Sequence, residues 1–172
     1  MDAEKIKECD AVKAIYKGKL FHASRYQGKI RIGSDKKLEG FVEYVDVLGN
    51  LHKDHFVRLL DESELDYLYE LSYELKYQGR WFHLFTALNS RTIFEDYYEI
   101  ILSFLDAEEK KLAEELDFER TDKFYYTKRI YRKDIEALKV IEIPQGIFSL
   151  QGKKERILEG QEIDDYFASI TD

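Results

Sequence analysis

Tyr16-Lys17-Gly18-Lys19-Leu20-Phe21-His22 returns sixty-one positions later as Tyr77-Gln78-Gly79-Arg80-Trp81-Phe82-His83. Each copy places glycine second in a two-residue connection between apolar runs. That is the pattern of a tight hairpin, because such a turn needs positive φ. A second match follows in the same order. Phe56-Val57-Arg58, then Glu64-Leu65-Asp66-Tyr67-Leu68 through Leu71, corresponds to Tyr126-Thr127-Lys128, then Asp134-Ile135-Glu136-Ala137-Leu138 through Ile141, seventy positions on. The chain therefore reads as two tandem copies of one module, 12–75 and 76–147, with an extension over 148–172, all within a single compact domain. Two copies at so long a period do not make a solenoid.

Working outward, Val12 to Tyr16, Lys19 to Tyr26 and the alternating Lys29-Ile30-Arg31-Ile32 predict a three-stranded meander. Phe41 to Val47 and Leu51 to Leu60 predict a strand pair reversed at Leu48-Gly49-Asn50. Asp61 to Glu64 opens a short helix in which Ser63 is the expected cap. The second copy predicts strands over Leu71 to Tyr77, Arg80 to Leu88, Thr92 to Phe104 and Phe118 to Tyr131, with a short helical turn over Asp134 to Leu138. A further strand, Lys139 to Ile143, is stopped by Pro144, which cannot donate to a ladder. Between Asp106 and Leu116 lies the clearest helix, capped by Asp106, with Leu105, Leu112, Ala113 and Leu116 as its apolar stripe. Glu159 to Ile170 predicts a terminal helix burying Ile163, Tyr166, Phe167 and Ile170. The fold class is α+β, mainly antiparallel β-sheet built from two copies of a meander plus short helix. Such copies usually pack about a pseudo-twofold axis, as one continuous sheet or face to face.

Composition agrees with a folded chain: 172 residues, 44% hydrophobic, 15% aromatic and a single proline. No apolar run approaches the roughly 18 residues of a membrane span, and the charged Met1 to Glu8 stretch has no apolar segment behind it, so the expected location is cytoplasmic. A lone Cys9 forms no internal disulfide and suits a reducing compartment. The net charge of −8 is segregated. Residues 61–119 hold 16 acidic and 5 basic side chains, whereas 120–158 hold 5 and 10. Phosphate backbones are gripped by Lys and Arg, so direct nucleic-acid binding is disfavoured and a basic protein partner is expected. The partner-facing residues expected on this ground are Glu95, Asp96, Glu108, Glu109, Glu114 and Glu115.

No GxSxG, Walker A, GxGxxG or HExxH pattern occurs. His52-x-x-His55 is the one close histidine pair, and a metal would need Asp54, Glu43 or Asp46 as a third ligand. On a strand the two rings point to opposite faces, so no metal or cofactor is expected. A hydrolase-type enzyme would gather His52 or His55 with Glu43, Asp46 or Asp54 in a deep pocket. Glu95-Asp96 and the Glu62, Glu64, Asp66 group offer carboxylate pairs for glycoside chemistry, at a density that chance explains. His22 and His83, at matching positions, are expected to serve the shared fold as partly buried hydrogen-bonding groups. The many tyrosines, among them Tyr67, Tyr73, Tyr97 and Tyr125, are expected mostly in the core, with a minority at an interface.

The doubled Tyr-x-Gly-Lys/Arg-x-Phe hairpins, the Glu64 to Leu68 turn and Phe118-Glu-Arg-Thr-Asp-Lys-Phe124 together resemble the small, acidic, motif-poor immunity proteins that accompany bacterial polymorphic toxins. The resemblance implies a stoichiometric inhibitor of a toxin, with no catalytic motif to carry over and a basic, nuclease-like target. A phage or mobile-element protein that blocks host defence by the same means is the alternative.

Overall fold

Lys17 and Gly18, Gln27 and Gly28, and Gln78 and Gly79 all have positive φ, so each pair turns the chain within two residues and its flanking strands pair directly. The computed structural model describes residues 12–171 and divides into two compact units. Cys9 lies outside the described residues. The first unit takes the described residues up to Leu71 with Glu142–Lys154; the second takes Ser72–Ile141 and the chain from Glu155 onward.

In the first unit the strands are β1 (Val12–Tyr16), β2 (Lys19–Tyr26), β3 (Lys29–Ser34), β4 (Val42–Val45), β5 (Leu51–Leu60) and the opening of β6 (Tyr67–Tyr77). Their order is β4-β5-β3-β2-β1-β6, and every pairing is antiparallel. Side chains alternate between faces, so one face gathers Ala14, Ala23, Ile30, Ile32, Leu60 and Leu68, all buried. Phe41 closes over it with its ring 5.5 Å from that of Phe21. The expected meander and the strand pair that follows it are both present.

In the second unit the rest of β6 is followed by β7 (Arg80–Leu84), α1 (Ser90–Phe94), β8 (Tyr98–Ser103), α2 (Ala107–Glu115), β9 (Glu119–Arg120) and β10 (Tyr125–Ile130). The order is β6-β7-β8-β10-β9. Cross-strand partners Leu75 and Phe82, Leu84 and Ile100, and Ile130 and Tyr98 line its buried face. Ala113 of α2 is fully buried, and the terminal helix α3 (Gln161–Thr171) stacks Phe167 on Tyr98 at 5.6 Å. Strand β11 (Ala137–Pro144) pairs with β6 and with β12 (Lys154–Leu158). The protein is thus an α+β fold of mostly antiparallel sheet.

Several expected boundaries shift for local reasons. Thr92 to Phe104 is not one strand: the Asn89 side chain accepts from the Thr92 N–H while the Thr92 hydroxyl accepts from the Asn89 N–H, which closes the short helix α1. The Phe118 to Tyr131 stretch splits because the Asp122 carboxylate accepts from the Phe124 N–H and turns the chain between β9 and β10. Asp61, not Ser63, caps the single 3-10 turn Glu62–Glu64. The later turn is Arg132–Asp134, so β11 already begins at Ala137. Strand β7 stops at Leu84, and β12 arises in the stretch expected only as an extension. Leu105 precedes the Asp106 cap and is 76% exposed, so it lies off the helix stripe.

Candidate functional site

At the end of the first unit's sheet, the chain reverses between β4 and β5 around a single carboxylate. Asp46 Oδ1 accepts from the N–H groups of Leu48 and Asn50, both at 2.9 Å, and its Oδ2 is 3.0 Å from His52 Nε2. Two backbone bonds, Asp46 N–H to Asn50 O and Gly49 N–H to Asp46 O, close the same loop. Gly49 supplies the left-handed φ of +84° that the reversal needs. The His52 bond, followed by the Asn50 backbone bond, holds the Asp46 carboxyl well below its ordinary range, at about 2.

This lock presents two apolar residues to water. Val47 is 91% exposed and Leu48 83% exposed, with Val45 and Leu51 more than half exposed on either side. Isolated surface leucines are ordinary, but consecutive aliphatic residues on a hydrogen-bonded turn form a preshaped apolar knob. Beside it, Tyr44 packs against His52 (5.2 Å between centroids) and meets His55 edge-on at 5.4 Å. Both rings reach one tyrosine because the β4–β5 register shifts between Glu43 and Tyr44. The signal in the sequence was present but unused: Val47-Leu48 are apolar residues inside a turn, where polar ones are the rule.

The histidine pair gathers no metal-binding set, since among the described residues no group of three or more His, Cys, Asp or Glu side chains stands close enough to hold an ion. Glu43, Asp54 and His55 are exposed. Glu62, Glu64 and Asp66 are each committed to the backbone: Glu62 accepts from Ile147 N–H as well as from Arg25, Glu64 from Asp61 N–H, and Asp66 from Gly18 N–H. The Arg25 bond and then the Ile147 bond lower the Glu62 carboxyl. Contrary to expectation, His22 and His83 are both exposed.

The six expected partner-facing residues all lie in the second unit. Glu108, Glu114 and Glu115 project from α2 into water. Glu109 is half-buried and accepts from Ser103 N–H. Glu95 pairs with Arg91 at 3.2 Å, while Asp96, at φ +50°, accepts from Arg132 N–H at 2.8 Å. Beside them Tyr97 donates to Glu99, and that bond, then burial, raises its phenol. A shallow depression lined by Ser90, Arg91, Ile93, Phe94 and Thr171 holds no carboxylate or histidine. Among the described residues no helix is long and apolar enough to cross a membrane.

The model of the family described as Uncharacterised conserved protein UCP033725 matches residues 10–145, and the chain belongs to that family. No curated protein and no solved structure matches it.

Proposed function

We propose that this member of the family is a stoichiometric protein-binding inhibitor without catalysis of its own, an immunity protein that neutralises a toxin in the cytoplasm. One observation carries the reading: the Val47-Leu48 knob, exposed on a turn fixed by the Asp46 carboxylate. A knob already ordered before contact loses little conformational entropy on docking, so its apolar area converts efficiently to affinity. The exposed carboxylates of α2 support a basic partner, because their field speeds encounter with one. A single cysteine in the whole sequence supports a reducing compartment.

The same proposal treats residues 12–75 and 76–147 as copies of one module. Each has a Tyr-x-Gly turn whose glycine N–H is bonded to a carboxylate, Gly18 to Asp66 and Gly79 to Glu136. Each also has a 3-10 turn whose last acidic side chain accepts from the cap N–H, Glu64 from Asp61 and Asp134 from Tyr131. A buried aliphatic residue follows the turn in both, Leu65 and Ile135.

The test is to recover the stoichiometric partner from the native host and measure its affinity for the Val47→Ser, Leu48→Ser double variant. Burying each side chain is worth about 1.5–3 kcal/mol, so the double change is expected to weaken binding by about 100-fold or more with the melting temperature unmoved. Wild-type affinity in the variant, or no stoichiometric protein recovered at all, defeats the proposal. A toxin gene beside this one supports the immunity role, and flanking phage genes point instead to anti-defence.

A further inference from the structure

Helix α1 is five residues long, yet hydrogen bonds fix it at both ends. The Asn89 and Thr92 pair closes its start, and the Thr92 hydroxyl also donates to the Ala87 carbonyl at 2.8 Å. At the other end the N–H groups of Glu95, Asp96 and Tyr97 donate to the carbonyls of Arg91, Ile93 and Thr92. This brace holds Phe94 89% exposed, the most exposed aromatic residue among those described. A lone surface ring is ordinary, but this one forms a wall of the depression it shares with Ser90, Arg91, Ile93 and Thr171, whose volume is about 640 Å³. An apolar projection and a hollow able to take it therefore stand side by side on one surface. The charges of α1 have a matching order. Arg91, Phe94 and Glu95 fall at i, i+3 and i+4, which places them on one helix face with the cation toward the start and the anion at the end.

We propose that this face closes on a second copy of the chain in solution, α1 against α1 about a twofold axis. A twofold contact brings one patch onto itself, so it demands a surface complementary to its own inverse. Two copies of α1 running antiparallel meet that demand. Arg91 of each comes opposite Glu95 of its mate, and each Phe94 ring enters the other's hollow against Ile93 and the aliphatic stem of Arg91. Within one chain Arg91 and Glu95 lie 3.2 Å apart and both are exposed, so on contact they exchange partners and neither charge is left unpaired. A basic foreign protein would meet Arg91 as a like charge beside the ring, whereas a second copy supplies both signs in the right order. The helix is ordered before contact, which keeps the entropic cost of pairing low. So short a helix offers little area, and the dimer is a weak one with a Kd of about 10–100 μM.

Sedimentation equilibrium of the full chain from about 1 μM to about 1 mM reads the contact directly, and the expected result is a reversible monomer–dimer equilibrium. Phe94→Ser is expected to weaken it at least about 100-fold with the melting temperature unmoved, because a twofold contact loses two rings at once and neither is buried in the monomer. Charge exchange supplies a second readout that a purely structural role for α1 would not give. Arg91→Glu alone and Glu95→Arg alone each set like charges face to face at both ends of the pair, and each is expected to lose affinity at least about tenfold. Mixed in equal amounts, the two variants restore opposite charges at both ends, and dimer is expected to return as the heterodimer. A wild type that stays monomeric to about 1 mM overturns the proposal, as does a dimer that Phe94→Ser leaves intact. A mixture no more associated than its separate variants overturns the antiparallel pairing and the proposal with it.

Discussion

At the scale of single residues, Asp46 is a carboxylate whose role can be read from its titration. Its folded value of about 2 lies below the ordinary 3.8, so the ionised form is favoured by folding. Its stabilising effect is therefore complete above the ordinary value and is lost as the pH falls through about 2. NMR titration of the carboxyl carbon is expected to show a midpoint near 2, and Asp46→Asn to speed amide exchange at Leu48 and Asn50 by about tenfold while the sheet core is unaffected. A midpoint near 4 would mean that His52 and the turn amides do not hold the charge. Tyr67 and Tyr98 behave in the opposite sense. Burial raises both phenols to about 12, with Glu142 adding to the effect at Tyr67 and Asp96 at Tyr98. Unfolded tyrosine releases its proton near 10, so the stability tied to these groups holds below that pH and drains away as the pH rises through 12. Phenylalanine at either position is expected to flatten the loss of stability between pH 10 and 12 in alkaline unfolding followed by circular dichroism.

Among the elements, the turns that opened the sequence reading are fixed by distant carboxylates. Gly18 N–H is bonded to Asp66 at 3.1 Å and Gly79 N–H to Glu136 at 3.2 Å, tying each hairpin to the residue just before β6 or β11. Asp66→Ala and Glu136→Ala should each cost about 1 kcal/mol in chemical denaturation, the usual worth of one such bond. Loss of nothing in either variant would show that water replaces the carboxylate without penalty. These turns were legible because Gly-containing two-residue connections carry a local steric demand, and so was the Asp106 cap, whose carboxylate accepts from the N–H groups of Glu108 and Glu109. Helix α1 was not legible in the same way. Thr92, Ile93 and Phe94 favour strands by composition, and only the reciprocal bonding of Asn89 and Thr92 turns them into a helix. The exposed Val47-Leu48 pair was only partly legible: Leu48 fell in the expected reversal, but Val47 read as the end of a strand until its exposure was known. Cross-strand neighbours such as His22 and Gly33 depend on register, which no single strand encodes by itself.

For the whole molecule, the net charge of −8 matters less than where it is uncompensated. Glu95 is paired with Arg91, the Asp96 carboxylate is spent on the Arg132 N–H, and Glu109 serves Ser103. Glu108, Glu114 and Glu115 remain as the solvent-facing carboxylates of α2. Reversing these three to lysine moves the formal net charge by six toward the positive, with Glu109 left in place to keep its structural bond. The new lysines meet Lys110 and Lys111 at i,i+3 and i,i+4 spacings, where like charges cost about 0.2–0.5 kcal/mol each. Glu108→Lys also puts a cation in the first turn, so the helix is expected to lose about 1–3 kcal/mol, and the variant's fold is checked by circular dichroism before its kinetics are read. If a basic protein is the partner, its association rate should drop about tenfold or more at low salt, with dissociation little changed. The difference should vanish toward 1 M salt, where screening acts over about 3 Å. Stopped-flow association measured across that salt range decides the matter: a folded triple variant that associates as fast as the wild type at low salt would leave these carboxylates as solvated surface and the knob as the sole recognition element.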